Sequence, residues 1–403
     1  MAPVMDRTKA LIDDPGIASA GMANGAGEMK RDAATPVEAY DYELPEAAIA
    51  QEPIEPRSAA RLLVASPAGG GAPRSSLHLR ITDLPGLLRP GDLLVVNDTR
   101  VLAARLRLVK ASGGRAEVLL LEPERDGPSE RWVALVRPGR RLPPGTELFE
   151  PGREAATAPV VVDGWPEGAP AGGGDADGRR IVRLVDPSIV ERAGEVPLPP
   201  YIHARLDQPE RYQTVFAAAR PPGERSAAAP TAGLHLTPEV LEACRAAGAA
   251  VASVDLVIGL DTFRPLSAPT VEGHVMHSER YRVPAATWDA CRSADRVVAV
   301  GTTVVRALES AAATGGLEGR TDLFIRPGFR FQVVDALLTN FHLPRSSLLV
   351  LVEAFYGAAW RDRYAEALTE GYRFLSFGDA MFVERGAGRA ATPSRVASPG
   401  PGR

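Results

Sequence analysis

GDLLVVNDTRVLAARLRLV, residues 91–109, holds the junction on which the fold turns. The apolar run at 93–96 empties into Asn97, Asp98, Thr99 and Arg100, which reads as a buried strand leading into a polar loop. From Leu102 to about Asp186 the pattern is then nearly all strand: RLRLV, EVLLLE, WVALVRP, the turn-like PPGTELF, APVVVDG and RIVRLV. Gly/Pro-rich connectors separate these runs, including the soft insert EGAPAGGGDADG at 167–178. Short strands at this spacing, with no helical stretch among them, predict a small antiparallel barrel or sandwich.

On either side of that module the grammar is α/β. Residues 40–100 mix helix and strand signals. After about residue 187, Thr237-Pro238 opens a helix, with the hydroxyl as N-cap and proline at the first helical position. EVLEACRAA continues it to Gly248, and VASVDLVIG follows as a strand. VPAATWDACRSA reads as a helix, VVAV (297–300) as a strand, and VVRALESAAA as a helix ended by Gly315-Gly316. VVDALLTN reads as a strand and SLLVLVEAFYGAAW as one mostly buried helix. Strands alternating with helices predict a mainly parallel sheet or a barrel. The expected organisation is a discontinuous α/β domain over 37–101 and 188–383 with an all-β domain, 102–187, inserted in it. Residues 1–36 read as a flexible leader. The stretch 384–403, with a net charge of +3, reads as a disordered tail.

A chain of 403 residues with 45% hydrophobic and 24% charged residues can bury a substantial core and is not disordered as a whole. Two cysteines, Cys244 and Cys291, exclude a disulfide scaffold, and neither has a C-x-x-C partner, which removes iron–sulfur clusters and Cys-rich zinc sites. The 39 glycines and 36 prolines should concentrate in loops and tails. The net charge of -4 is uneven, since residues 1–50 hold nine acids against four bases. Lysine occurs only at Lys9, Lys30 and Lys110, so arginine supplies nearly all the positive charge, a skew that coding bias explains. Global charge neither demands nor forbids a polyanionic partner. No apolar stretch reaches the length of a signal peptide core or a membrane span, so a cytoplasmic, membrane-free protein is expected, as a monomer or weak homodimer.

Several polar residues stand where chemistry is usually placed. His235, in APTAGLHLTPE, lies two residues before the Thr237 cap, near helix N–H groups that favour an anion and lower an imidazole pKa. His274 and His277 in GHVMHSE, with Glu279, tempt a metal reading, but the spacing matches no strong zinc pattern. His342, in LTNFHLP, follows a strand end, the usual ligand-binding edge of an α/β protein. His78 and His203 lie in ordinary segments. Gly301, Thr302 and Thr303 form a strand-to-helix turn able to bind a carboxylate or phosphate, although it fits neither G-x-G-x-x-G nor a phosphate loop. Arg306 in the first turn opposes the helix dipole, so a bound anion or a nearby acid should compensate it. Asn97–Arg100 and Arg105, at a domain junction, suit a cleft. Each of these also has a plain structural reading as a cap, a packed imidazole or a surface arginine. No Gly-x-Ser-x-Gly elbow, kinase set or Walker lysine is present.

The ordered succession DYELPEAAIA, EPRSAARLL, GDLLVVNDTRVLAARL, VPLPPYI, RYQTVF, APTAGLH, GHVMHSE, AVGTTVVRALES, TDLFIRPG, VDALLTNFHLP and YRFLSFGDAMF, over roughly residues 40–383, resembles the S-adenosylmethionine:tRNA ribosyltransferase-isomerase family. The resemblance implies a large barrel-like α/β domain with a small all-β barrel inserted after NDTRV and an active site between them. It implies transfer and isomerisation of the ribosyl group of S-adenosylmethionine onto 7-aminomethyl-7-deazaguanine at the tRNA wobble position, giving epoxyqueuosine, adenine and methionine. S-adenosylmethionine is then a co-substrate, and neither a prosthetic group nor a metal is expected. A sulfonium acidifies the ribose C5′ hydrogens, the aminomethyl nitrogen must attack as the neutral amine, and adenine needs a proton or hydrogen bond to leave. Histidines suit such exchanges. On this basis His235, His277 and His342 are the acid–base candidates, with Glu279 orienting an imidazole. Asp98, Thr99, Gly301, Thr302, Thr303, Asn340 and Asp379 are candidates for holding S-adenosylmethionine. Arg100, Arg105, Arg211 and Arg306 are candidates for tRNA phosphates or the methionine carboxylate.

One motif departs from the family. Where relatives read L-H-V-G-x-G-T-F, this chain places Val257 at the histidine and Asp261 at the second glycine. Valine cannot transfer a proton, and aspartate adds a charge and a β-carbon. Two other readings therefore stand beside the leading one: ribosyl transfer from S-adenosylmethionine to a different acceptor, and a catalytically weakened RNA-binding protein of the same fold.

Overall fold

The computed structural model describes residues 34–65, 76–124, 127–128, 130–153, 157–166, 178–259 and 265–385. Most of the expected leader, tail and 167–178 insert, and Asp261, lie outside the described residues.

The chain first lays down β1 (Arg61–Ala65), β2 (Leu77–Arg80) and β3 (Asp92–Asn97). All six residues of β3 are buried, because the strand has a core on each face. Leu93 and Val95 join one apolar cluster, whereas Leu94 and Val96 join another on the opposite side. This two-sided burial is why the run is continuously apolar instead of alternating.

The inserted region follows as β4 (Arg105–Lys110), β5 (Arg115–Pro123), β6 (Arg131–Arg137), β7 (Glu147–Phe149), β8 (Val160–Gly164) and β9 (Arg179–Leu184), then helix α1 (Ile189–Ala193) and β10 (Gly194–Glu195). These strands form one seven-stranded sheet in the order β10-β4-β5-β6-β9-β8-β7, and pairing of β4 with β7 closes six of them into a barrel. Its interior is a separate core in which Leu106, Leu108, Val118, Trp132, Val160 and Val182 meet. Arg105 and Arg107 alternate outward on β4, the period expected of a half-buried strand.

After the barrel come α2 (Pro238–Ala246), β11 (Ala250–Leu256), β12 (Glu279–Arg282), α3 (Ala285–Ser293), β13 (Arg296–Val300), α4 (Thr302–Thr314), β14 (Glu318–Thr321), β15 (Ala336–Asn340), α5 (Ser347–Tyr356), α6 (Trp360–Thr369) and β16 (Ala380–Glu384). They complete a nine-stranded mixed sheet ordered β14-β12-β11-β3-β13-β15-β16-β1-β2. β11, β3, β13 and β15 are mutually parallel, so their carboxyl ends share one edge. The chain is thus an α/β domain with a small all-β barrel inserted after β3. Thr237 caps α2 by accepting from the Val240 N–H at 3.3 Å, and Gly315, φ 73°, ends α4 in the left-handed region.

Two expectations need correction. The apolar stretch 347–360 is not one helix: Gly357, at φ 101°, breaks it between α5 and α6. The strand expected over VVDALLTN begins only at Ala336. The N–H groups of Gln332, Val333 and Val334 instead donate to the buried Glu309 carboxylate at 2.8–3.0 Å, which replaces a sheet partner. Both cysteines are buried and form no disulfide. Among the described residues no helix is long and apolar enough to cross a membrane.

Candidate active site at the strand ends and the domain seam

Parallel strands deliver their following loops to one edge, where α/β sheets bind ligands. Gly301, φ 93°, turns β13 into α4 and places the buried Thr302 and Thr303 in the first helical turn. Asn97, the last residue of β3, ties the neighbours together. Its Nδ2 donates to the Leu256 carbonyl at 3.0 Å and to Thr303 Oγ1 at 3.3 Å, and its Oδ1 accepts the N–H groups of Thr99 and Leu256. After β15, His342 lies with Nε2 3.0 Å from Thr339 Oγ1. Asn340 sits within reach of His235, Thr231 and Leu375.

These loops enclose a cleft with about 600 Å³ of atom-free space, part of it open to solvent. Its polar lining is Tyr201, Thr231, Thr302, Thr303, Thr339, Asn340, His342, Ser346 and Ser376, set among apolar Ile258, Phe341, Leu343, Leu348 and Leu375. No Asp, Glu, Lys or Arg is among the described residues that line it. Burial, which penalises the imidazolium, pulls His342 down to about 3. His235, behind Asn340, is pulled to about 4, first by burial and then by Arg373 and Arg57. Both are neutral imidazoles near pH 7.

A second, larger groove of about 1310 Å³ follows the seam between the two domains. The barrel contributes Leu121, Glu122, Pro123, Val133 and Arg179, and the α/β domain contributes Arg225, Val257, Gly259, His277, Glu279, Arg280 and Arg320. Arg320 crosses the seam to Glu122 at 2.8 Å. His277 is exposed here. Ile258 lines both the seam and the strand-end cleft, so the two spaces meet at that residue.

The structure brings Gly301, Thr302, Thr303, Asn340 and His342 together in the first space, and His277 and Glu279 in the second. Glu279 is also tied into the α/β domain, and the other candidates stand elsewhere. Glu279 forms a buried ion pair with Arg306 and accepts the Gly259 N–H at 3.4 Å. Arg306, only 4% exposed, therefore has its compensating acid within the fold, and burial lowers its guanidinium to about 10. Asp379 accepts the backbone N–H groups of Arg61 and Arg373 at 2.9 and 2.8 Å, which ties β1 to the loop before β16. Asp98 pairs with Arg220 and accepts the Ser253 hydroxyl at 2.7 Å, while Thr99 is fully buried. Arg100 opens onto a shallow cleft with Arg220 and Arg225. Arg105 faces a groove between the barrel and residues 194–209, with Glu117 at 4.0 Å. Arg211 pairs with Glu55 and donates to the Ile54 carbonyl.

Of the remaining histidines, His78 bonds Tyr372 at 2.9 Å and faces Glu366 at 3.2 Å, partners the sequence did not reveal. His274 packs edge-on against Phe324. Among the described residues no group of three or more His, Cys, Asp or Glu is placed to hold a metal. Sequence reasoning missed Tyr201, Thr231, Ser346 and Ser376 in the cleft, and Arg179, Arg225, Arg280 and Arg320 in the seam. Tyr201, Thr231 and Ser376 lie within the motifs VPLPPYI, APTAGLH and YRFLSFGDAMF, which marked the segments but not the residues.

A family model described as queuosine biosynthesis protein matches residues 37–383. The chain belongs to that family. Among its curated relatives, the S-adenosylmethionine:tRNA ribosyltransferase-isomerase of Moorella thermoacetica is 48% identical over 363 residues, covering 86% of this chain and 99% of the relative. The protein of the same name from Thermus thermophilus is 47% identical over 370 residues, with the same coverage of 86% and 99%. A solved structure, S-adenosylmethionine tRNA ribosyltransferase from Thermotoga maritima, is 35% identical, with a TM-score of 0.47 and coverage of 86% of this chain and 99% of that one.

Proposed function

We propose that this chain is an S-adenosylmethionine:tRNA ribosyltransferase-isomerase. It transfers and isomerises the ribosyl group of S-adenosylmethionine onto 7-aminomethyl-7-deazaguanine at the wobble position of tRNA, giving epoxyqueuosine with release of adenine and methionine. Family membership supports the reaction. The observation that carries its placement is the pair of spaces joined at Ile258: a strand-end cleft with no charged side chain among the described residues that line it, and an arginine-lined seam.

In this reading S-adenosylmethionine occupies the strand-end cleft as co-substrate. The first turn of α4, with Thr302 and Thr303, offers N–H groups and hydroxyls to the methionine carboxylate. Neutral polar groups take the ribose and the purine. A sulfonium shielded from water there acidifies the adjacent C5′ hydrogens, one of which must be removed. The tRNA lies along the seam with its backbone near Arg100, Arg225 and Arg280, so that the aminomethyl nitrogen enters past Ile258. His277, exposed in that seam, is the imidazole placed to take a proton from the incoming ammonium or to pass one on. We place the domain boundaries at 101/102 and 187/188, which enclose the closed barrel strands β4 to β9, while α1 still packs Ile189 and Val190 into the barrel core and β10 pairs with β4.

The test is to incubate the protein with S-adenosylmethionine and tRNA carrying 7-aminomethyl-7-deazaguanine, then analyse the nucleosides by mass spectrometry. Epoxyqueuosine and free adenine in equal amounts are expected. Adenine release without epoxyqueuosine would assign a different acceptor, and the absence of both would refute the reading.

A further inference from the structure

Three neighbours fix the orientation of one buried amide. Asn340 Nδ2 donates to the Leu375 carbonyl at 3.1 Å and lies 3.1 Å from His235 Nε2, while Asn340 Oδ1 accepts the Thr231 hydroxyl at 3.0 Å. A carbonyl oxygen only accepts, so Leu375 decides which end of the amide is the NH₂ group. The second amide hydrogen then faces His235 Nε2, which must present its lone pair. His235 is therefore neutral, with its proton on Nδ1. Leu375 itself is held at φ 68°, a conformation that a bulky L-residue adopts only where its surroundings enforce it, and strain of this kind gathers at ligand sites. His235 is 4% exposed. Arg57 and Arg211 line the small space on its other side, with no carboxylate among the described residues that line it, and Arg373 adds a third cation nearby. Asn340 and Thr231, by contrast, line the strand-end cleft.

From this geometry we infer that His235 is a positioning residue: it accepts from Asn340 and thereby holds the Asn340–Thr231 pair as an oxygen acceptor for a ribose hydroxyl or the adenine amino group, without itself transferring a proton. The inference rests on reading that cleft as the S-adenosylmethionine site. Glutamine is the informative replacement, because its Oε1 can stand where His235 Nε2 stands and still accept, yet it cannot exchange protons near neutrality.

His235→Leu should lower kcat/KM for S-adenosylmethionine by about ten- to a hundredfold, the cost of a misplaced binding group, with the loss mainly in KM. His235→Gln should restore most of it. In an Asn340→Ala background, His235→Leu should cost nothing further, since its effect runs through the amide. Glutamine as damaging as leucine with the loss in kcat, or additive losses in the double variant, would overturn the inference. Imidazole ¹⁵N shifts of the full chain give a reading that does not depend on turnover. They should show His235 protonated on Nδ1 alone, and calorimetric binding of S-adenosylmethionine should follow the same order of variants. A His235 proton on Nε2 would sink the inference even in an active enzyme. An inactive unaltered protein that shows the expected tautomer and binding order would count only against the proposed reaction.

Discussion

The strand-end cleft and the domain seam share Ile258 but are opposite in character. The cleft has no charged lining among the described residues, and its polar groups are held by backbone and by one another. The seam carries Arg179, Arg225, Arg280 and Arg320 together with an exposed histidine. A small ligand with a few polar atoms is fixed by neutral groups oriented beforehand, whose hydrogen bonds strengthen away from water. A polyanion needs solvated charges that can release counterions. The same contrast divides the histidines. Burial holds His235 and His342 neutral, which suits them to orienting neighbours, whereas His277 stands where a substrate can reach it.

The largest effect should come from the buried ion pair that backs the seam. Glu279 and Arg306 are 6% and 4% exposed, so removing one leaves a buried charge alone. Glu279→Gln or Arg306→Met should each lower stability by about 3–5 kcal/mol in urea titrations, and the double substitution by much less. The corresponding seam pair, Arg320 with Glu122, is 31% and 42% exposed. Glu122→Gln should stay within about 1 kcal/mol, and equal costs for the two pairs would erase the distinction between the buried pair and the solvated groove.

Next in size is turnover. His277→Ala should reduce kcat at least about a hundredfold while S-adenosylmethionine still binds. Val257→Ala, in the same groove, should change kcat little. An unimpaired His277→Ala enzyme would move proton transfer out of the seam.

Acid should act on the cleft through its buried imidazoles. His235 and His342 titrate at about 4 and about 3 in the folded chain, against 6.5 for an unburied imidazole. The unfolded chain therefore binds protons first, so this stability is complete above pH 6.5 and falls as pH drops toward about 4, continuing to about 3 for His342. Each histidine contributes at most about 1.4 kcal/mol per pH unit in that window. Urea midpoints at pH 7.5 and 5.5 measure it, and His235→Leu should flatten part of the slope.

The smallest effect is in the salt dependence of tRNA binding. Arg100→Ala or Arg280→Ala should each lower the slope of log K against log salt by about 0.7. Thr302→Val, in the cleft, should leave that slope unchanged. A slope change from Thr302→Val alone would place the polyanion in the wrong space.

The sequence by itself determined the elements and most of their order, because strand period, helix caps and glycine stops are local. Thr237 and Gly315 bound their helices as read, and the alternation from Arg105 onward marked the barrel. It also picked out Gly301, Thr302, Thr303, Asn340 and His342, since parallel strands carry their polar ends to one edge. It could not show that Glu309 would hold residues 332–334 out of the sheet, a contact between side chain and backbone more than twenty residues apart. Nor could it show that Arg306 would meet Glu279, that Asp379 would bind two backbone N–H groups, or that Arg179 would arrive from the barrel to face Arg280 across the seam. What a charge or an imidazole does depends on its partner and on the water around it. Both are set by segments far away in the chain, so only the tertiary structure decided which histidine is buried against an amide and which is open to substrate.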